Sequence, residues 1–384
     1  MNSNNNPINI WCLGTKINIK LTSSFIDLVN EKIKEKYITK RKVHKKLIGY
    51  YSVPFSVFKD RMKQSYNYFV DLEILFNLCK ILDIPLDKLQ TNILAYKTRG
   101  GLNYIENPKL PIKITPIFDM LIAHFIGDGF VINPRKGRKP YFGYRQYNEE
   151  YRNLFLKKVE FIFGKINYKD SYIKNKDTTQ IYFPVVCSDL MFKLYNLNVN
   201  SFKSENARIP TEIFHKDWRH KLAFLAGIII DEGHVDSNLI LIRMKNKALI
   251  QDLQRLCSHL NYITSMKKGK KGIFCLYILS KSLRKFYQEY QNLLREYPEV
   301  NLGYKGKKIE QFIQRLNKPK VYIGGNKPKI LVELSKESLT VNELAERLNM
   351  TRQGARYLIN RLIKENKIEI KSTVKFGNYK YGLR

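Results

Sequence analysis

Apolar positions between residues 20 and 95 recur three and four apart in stretches such as SFIDLVNEKIKEKY, VPFSVFKDRMKQ and YFVDLEILFNLCKILDI. That period predicts several short helices separated by polar turns. It lapses over TRGGLNYIENPKLPIKITP (Thr98–Pro116), where glycine and proline accumulate and a linker is expected. Two apolar runs follow, DMLIAHFIGDGFV at Asp119–Val131 and AFLAGIIIDEGHV at Ala223–Val235, and they overlay without a gap. Leu121 then falls on Leu225, Ala123 on Gly227, Asp128 on Glu232 and Gly129 on Gly233, at an offset of 104 residues. Each run reads as a helix. Each is followed by the same succession of a hairpin pattern, an amphipathic helix, a second hairpin and a closing helix, as expected of a duplicated half-domain. Beyond it, KPKILVELSK, TVNELAERLNM and TRQGARYLINRLIKENKI predict three helices, the second capped by Thr340 and the third by Thr351. EIKSTVKFGNYKYGLR then predicts two strands around Gly377 and Asn378.

The ends of the two repeated helices run against local stability. A helix C-terminus carries a partial negative charge that favours Lys or Arg in the last turn and Gly just beyond, each charge being worth roughly 0.3–1 kcal/mol. Gly129 and Gly233 fit that rule, whereas Asp128 and the adjacent pair Asp231 and Glu232 oppose it.

Charge gives the duplication a partner. The 384 residues include 68 Lys and Arg against 34 Asp and Glu, a formal net charge of +34. Basic runs recur throughout, as in KRKVHKK, RKGRK and KKGKK. An excess of this size points to phosphate binding, because every Lys or Arg that neutralises a phosphate releases condensed counterions. The five cysteines are scattered and odd in number, and neither they nor the six histidines show the spacing of a disulfide framework or a zinc site. No signal segment precedes the first predicted element and no apolar run approaches the ~20 residues that cross a bilayer, so a soluble, cytoplasmic chain is expected.

The nonamers LIAHFIGDG (Leu121–Gly129) and LAGIIIDEG (Leu225–Gly233) carry a resemblance to the LAGLIDADG homing endonuclease family in its single-chain, two-motif form. Both depart from the family pattern at the sixth position, where Ile126 and Ile230 replace an acid. The resemblance implies an α+β fold of two pseudo-symmetric αββαββα halves, at 117–204 and 205–300, acting as a monomer with a pseudo-twofold axis. The segment at 326–384 resembles a winged helix-turn-helix. The helices of 1–97 resemble a helix-turn-helix bundle, with a plain helical packing domain as the alternative. Linkers are expected at 98–116 and 301–325.

In the family picture the two motif helices pack side by side, and Ala123, Gly127, Ala223 and Gly227 are the small residues that let their backbones approach. Asp128 then lies beside Glu232. Two carboxylates at short range repel unless a proton or cation sits between them, which suits Mg²⁺ or Mn²⁺ as cofactor. Lys281 is the candidate basic residue of the site, with an ordinary surface lysine as the alternative. The hairpins place Arg135, Arg138, Arg145, Gln146, Arg243, Lys245, Lys267, Lys270 and Lys271 on a DNA-facing surface, and Arg352, Gln353, Arg356 and Tyr357 lie at the start of the third C-terminal helix. The resemblance implies a staggered double-strand break in DNA. A non-cleaving DNA-binding regulator of the same fold is the alternative.

Overall fold

The computed structural model describes residues 6–13, 16–48, 54–133, 138–167, 171–173, 178–236, 238–317, 323–374 and 378–384, apart from 65–67. It divides into two compact units, Met1–Ile313 and Gln314–Arg384. The larger holds one continuous apolar core, and the smaller has its own, built from Ile330, Leu334, Leu344, Leu358, Ile359, Leu362, Ile368 and Tyr381.

The two halves of the larger unit repeat the same architecture. After the first motif helix, Pro116–Ile126, the strands Gly129–Ile132, Tyr141–Gln146, Ser171–Ile173 and Thr178–Tyr182 form an antiparallel sheet in the order first, second, fourth, third. After the second motif helix, Trp218–Glu232, the strands Gly233–Val235, Ile240–Met244, Thr264–Lys268 and Phe274–Ile278 form a sheet in the same order. The helices Glu149–Phe163 and Lys247–His259 separate the two hairpins of each half, and Val185–Leu194 and Ser280–Glu296 close them. Asn148 and Asn246 cap the middle helices in the same way, each side chain accepting the backbone N–H three residues on. Register makes the halves comparable residue by residue: Gly129 faces Tyr144 and Gly233 faces Ile242, so Tyr144 corresponds to Ile242, Arg145 to Arg243 and Gln146 to Met244.

The N-terminal segment departs from the all-helical expectation. Its helices accompany a five-stranded sheet ordered Val70–Asp71, Ile17–Leu21, Ile93–Thr98, Tyr104–Glu106, Lys165–Asn167. Ile17, Ile19 and Leu21 alternate into the core, a period-two pattern too short to stand out beside long helical runs. The strand Tyr104–Glu106 lies in the expected linker 98–116 and pairs with Lys165–Asn167 of the first half, which joins the two regions into one unit. The expected linker 301–325 is corrected likewise: it contains the whole of the helix Tyr304–Asn317, held by Ile309 and Ile313 in the core, and the start of Ile323–Lys336.

In the smaller unit the helices Ile323–Lys336, Val341–Arg347 and Arg352–Lys364 precede the strands Ile368–Val374 and Asn378–Leu383, with Leu339–Thr340 as a third strand. Gly377, expected between the last two strands, lies outside the described residues. Thr340 and Glu343 form a reciprocal capping box, and the Thr351 hydroxyl accepts from Gly354 N–H at 3.0 Å. Among the described residues no helix is long and apolar enough to cross a membrane.

Candidate active site

The two motif helices approach so closely that two glycines leave no room for a Cβ between them. A Cβ added to Gly227 would lie 2.7 Å from the Cβ of Ala123, and one added to Gly127 would lie 2.7 Å from the Cβ of Asp231. Both contacts join residues 104 positions apart, which places equivalent residues of the two repeats face to face, as a twofold axis between the helices requires. Of the four small residues expected here, Ala123, Gly127 and Gly227 make the close approach. Ala223 is buried one turn away, equivalent to Asp119 rather than to a small residue.

The helix ends bring three carboxylates together. Asp128 and Glu232 are half-buried, while the Asp231 side chain is fully enclosed at 0% exposure. Burial pushes the Asp128 carboxyl up to about 7 and the charge of Asp231 adds to the effect; Gln146 and Lys305 oppose it. Burial also lifts Glu232 to about 7, reinforced by Asp128 and Asp231 and opposed by Lys305. Each of these acids therefore lies in the field of the others.

Asp231 is accommodated by the first half. Tyr144 Oη donates to its Oδ1 at 3.0 Å, and His124 Nδ1 lies 3.0 and 3.1 Å from its two oxygens. The geometry is that of an ion pair, but burial and the nearby Lys158 hold the imidazole well below its usual range. His124 is thus a neutral donor through Nδ1–H, and its buried Nε2 has no hydrogen-bond partner among the described residues. Lys158, also fully buried, donates to Leu154 O at 3.1 Å, and burial brings its pKa down to about 7. In the second half the positions of His124, Tyr144 and Gln146 are taken by Ile228, Ile242 and Met244, so this support exists on one side only.

The cation expected at a helix C-terminus comes from far along the chain. Lys305, only 6% exposed, donates from Nζ to Ile229 O at 2.9 Å and Ile230 O at 2.5 Å in the last turn of the second motif helix. Burial lowers its pKa, and Asp231, Asp128 and Glu232 oppose that shift, so the charge of Lys305 and those of the three acids act on one another. The structure does not bring Lys281 to this position. Gly233 is level with Ile242 and Leu276, and the chain runs five residues past Leu276, beyond the strand end, before reaching Lys281 on the exposed first turn of Ser280–Glu296.

Gln146 is likewise corrected. It is buried at 8% exposure and donates from Nε2 to Asp128 Oδ2 at 2.8 Å, so it orients a carboxylate instead of facing outward. Arg243 and Lys267 pair with the same residue, Cys275, and stand in one row across the second sheet; Arg145 and Gln180 form the matching row of the first. Arg138, Lys245, Lys270 and Lys271 are exposed, and Arg135 lies outside the described residues. In the smaller unit Arg352, Gln353, Arg356 and Tyr357 are all exposed at the start of their helix, opposite Ala355, Leu358, Ile359 and Leu362.

Sequence reasoning passed over His124, Tyr144, Lys158 and Lys305. A signal existed for one contact: Gly127 is the repeat equivalent of Asp231, so a side chain on one helix faces none on the other. Nothing local marks Lys305.

Among the described residues no three His, Cys, Asp or Glu side chains converge to hold a metal by themselves. The pair Asp128 and Glu232 nevertheless fits Mg²⁺, which keeps several waters and takes one or two carboxylates together with substrate phosphates.

Residues 219–291 match the family described as LAGLIDADG-like domain, and residues 326–369 match winged helix-turn-helix DNA-binding. No curated protein matches the chain. Among solved structures it is similar to I-DmoI in complex with DNA and Mn, at 18% identity over 45% of this chain and 94% of that one, TM-score 0.33. It is also similar to the homing endonuclease I-WcaI bound to its DNA recognition sequence, at 16% identity over 50% and 86%, TM-score 0.35. Full-length DUF199/WhiA from Thermatoga maritima is similar at 13% identity over 65% and 90%, TM-score 0.34.

Proposed function

We infer, from a chain that carries a duplicated LAGLIDADG-like core followed by a winged helix-turn-helix, that it is a site-specific DNA endonuclease making a staggered double-strand break. The observation that carries this reading is the face-to-face contact of repeat-equivalent residues, which sets Asp128 and Glu232, one from each half, in each other's field at the two helix ends. Acids facing DNA phosphates oppose binding, so their presence in a chain of charge +34 calls for a chemical role.

Asp128 and Glu232 would hold Mg²⁺ or Mn²⁺, which when bound activates water and offsets charge developing at phosphorus. Gln146 fixes the orientation of Asp128 through its 2.8 Å hydrogen bond. The buried contacts of Asp231 with His124 and Tyr144 keep the two helix ends in register. Arg145, Arg243 and Lys267 on the sheets, with Arg138, Lys245, Lys270 and Lys271, position the duplex by its phosphates. Hydrolysis on each strand adds water oxygen to phosphorus and breaks the bond to the 3′-oxygen, which leaves with a proton.

One observation favours the second reading, a DNA-binding regulator that does not cut: Lys305 already supplies the acids with a cation from within the chain. Incubation with a randomised duplex library and Mg²⁺, followed by sequencing of bound and cleaved fractions, separates the two. An endonuclease yields staggered ends at one enriched sequence; a regulator enriches a sequence that stays whole.

A further inference from the structure

Lys305 combines features that an ordinary core lysine does not need. It reaches the acid site from the helix Tyr304–Asn317, outside both repeats, and is enclosed to 6% exposure. Its Nζ is bound to two carbonyls at the very helix end that carries Asp231 and Glu232, and it lies 5.6 Å from the centre of the Tyr151 ring of the first half. One cation is thereby held where both halves and all three carboxylates meet. The twofold relation that governs the motif helices does not generate it, since Lys305 lies on a helix that follows both repeats and the basic residue in the last turn of the first motif helix is His124.

We propose that Lys305 is a built-in counter-cation of the acid site: it offsets Asp128, Asp231 and Glu232 in the metal-free chain and thereby lowers the affinity for a divalent ion until DNA phosphates add negative charge. The inference rests on the metal-site reading of Asp128 and Glu232 above. A fixed positive charge beside a carboxylate pair repels an incoming divalent ion by the same Coulomb interaction that steadies the pair without one. Phosphates of a bound duplex reverse that balance. The ion is then taken up with the substrate and not before it.

The test is Mn²⁺ binding to the full chain at about pH 8.5, where protons compete little for the carboxylates, by calorimetry and by loss of the free-ion magnetic resonance signal. Wild type, Lys305→Arg and Lys305→Gln are compared with and without an unselected duplex. Lys305→Gln keeps an N–H donor, one bond shorter in reach, but not the charge. Without DNA, wild type and Lys305→Arg should bind at millimolar affinity or weaker, and Lys305→Gln at least about fivefold more tightly. The duplex should tighten binding to wild type. Equal or weaker binding by Lys305→Gln overturns the proposal. Should that variant fail to fold, wild type decides: micromolar affinity without DNA overturns it, and millimolar affinity that DNA tightens supports it. Absence of binding to every protein, with DNA present, overturns the metal-site reading and this inference with it.

Discussion

A carboxyl group at a helix C-terminus is disfavoured by the helix field, and burial among other acids disfavours it again. Asp128, Asp231 and Glu232 meet both conditions, and burial raises all three to about 7. Each binds a proton more tightly in the folded chain than in the unfolded one. Their contribution to stability is therefore complete below the ordinary carboxylate range near pH 4 and is lost as pH rises through about 7. The metal-free chain should accordingly lose stability between about pH 5 and 7.5, and Glu232→Gln should flatten that slope. Urea denaturation in the presence of a chelator at the two pH values measures it, and a wild-type slope of zero or opposite sign would remove these acids as its cause. At Gln146 the expectation is kinetic: Gln146→Leu removes the donor that orients Asp128 and should slow cleavage of that half's strand by about tenfold to a hundredfold, with the other strand less affected. Single-turnover assays with each strand labelled in turn measure the difference.

At the scale of the element, the fold rests on two helices in near-contact. Gly127 has a negative φ of −75°, and a Cβ built there would lie 2.7 Å from the Cβ of Asp231, so contact limits what can replace it. Gly127→Ala should destabilise by about 1–3 kcal/mol because its Cβ meets Asp231, and Asp231→Ala in the same chain should restore part of the loss. Additive effects of the two substitutions would mean that the helices do not touch there. The motif helices, the order of strands and helices in each half, and the three-helix C-terminal unit were legible in the sequence, because periodicity and the 104-residue repeat are local signals. Thr340 and Thr351 cap the helices expected of them. The N-terminal sheet was not legible: its strands run from two to six residues and one pairs with Lys165–Asn167, across a separation no local pattern reports. The same holds for the site. Asp128 and Glu232 stand out as acids where a helix should end in a base, whereas Lys305 reaches Ile229 and Ile230 from 76 and 75 residues away. Lys281, with the right charge near the expected place, yields to a lysine that only tertiary structure could bring in.

At the scale of the whole molecule, a charge of +34 and a winged helix-turn-helix make binding to DNA strongly dependent on salt. If Arg352 and Arg356 neutralise phosphates, Arg352→Ala with Arg356→Ala should weaken binding and reduce the slope of log K against log salt by about one unit for each phosphate left without its arginine. Titration of one duplex at several salt concentrations measures both, and an unchanged slope would give this helix a protein-pairing role. Metal-dependent cutting of DNA at the paired helix ends follows from the proposed function. It is tested most directly on a gel of bound and cut products from one selected duplex, with and without Mg²⁺, for wild type, Asp128→Asn and Glu232→Gln. The substitutions keep the side chains' shape and remove the charge. Wild type should cleave both strands in Mg²⁺ only, and either variant should lose cleavage with binding equal or tighter. Wild-type binding without cleavage in Mg²⁺ or Mn²⁺ would contradict the proposed function.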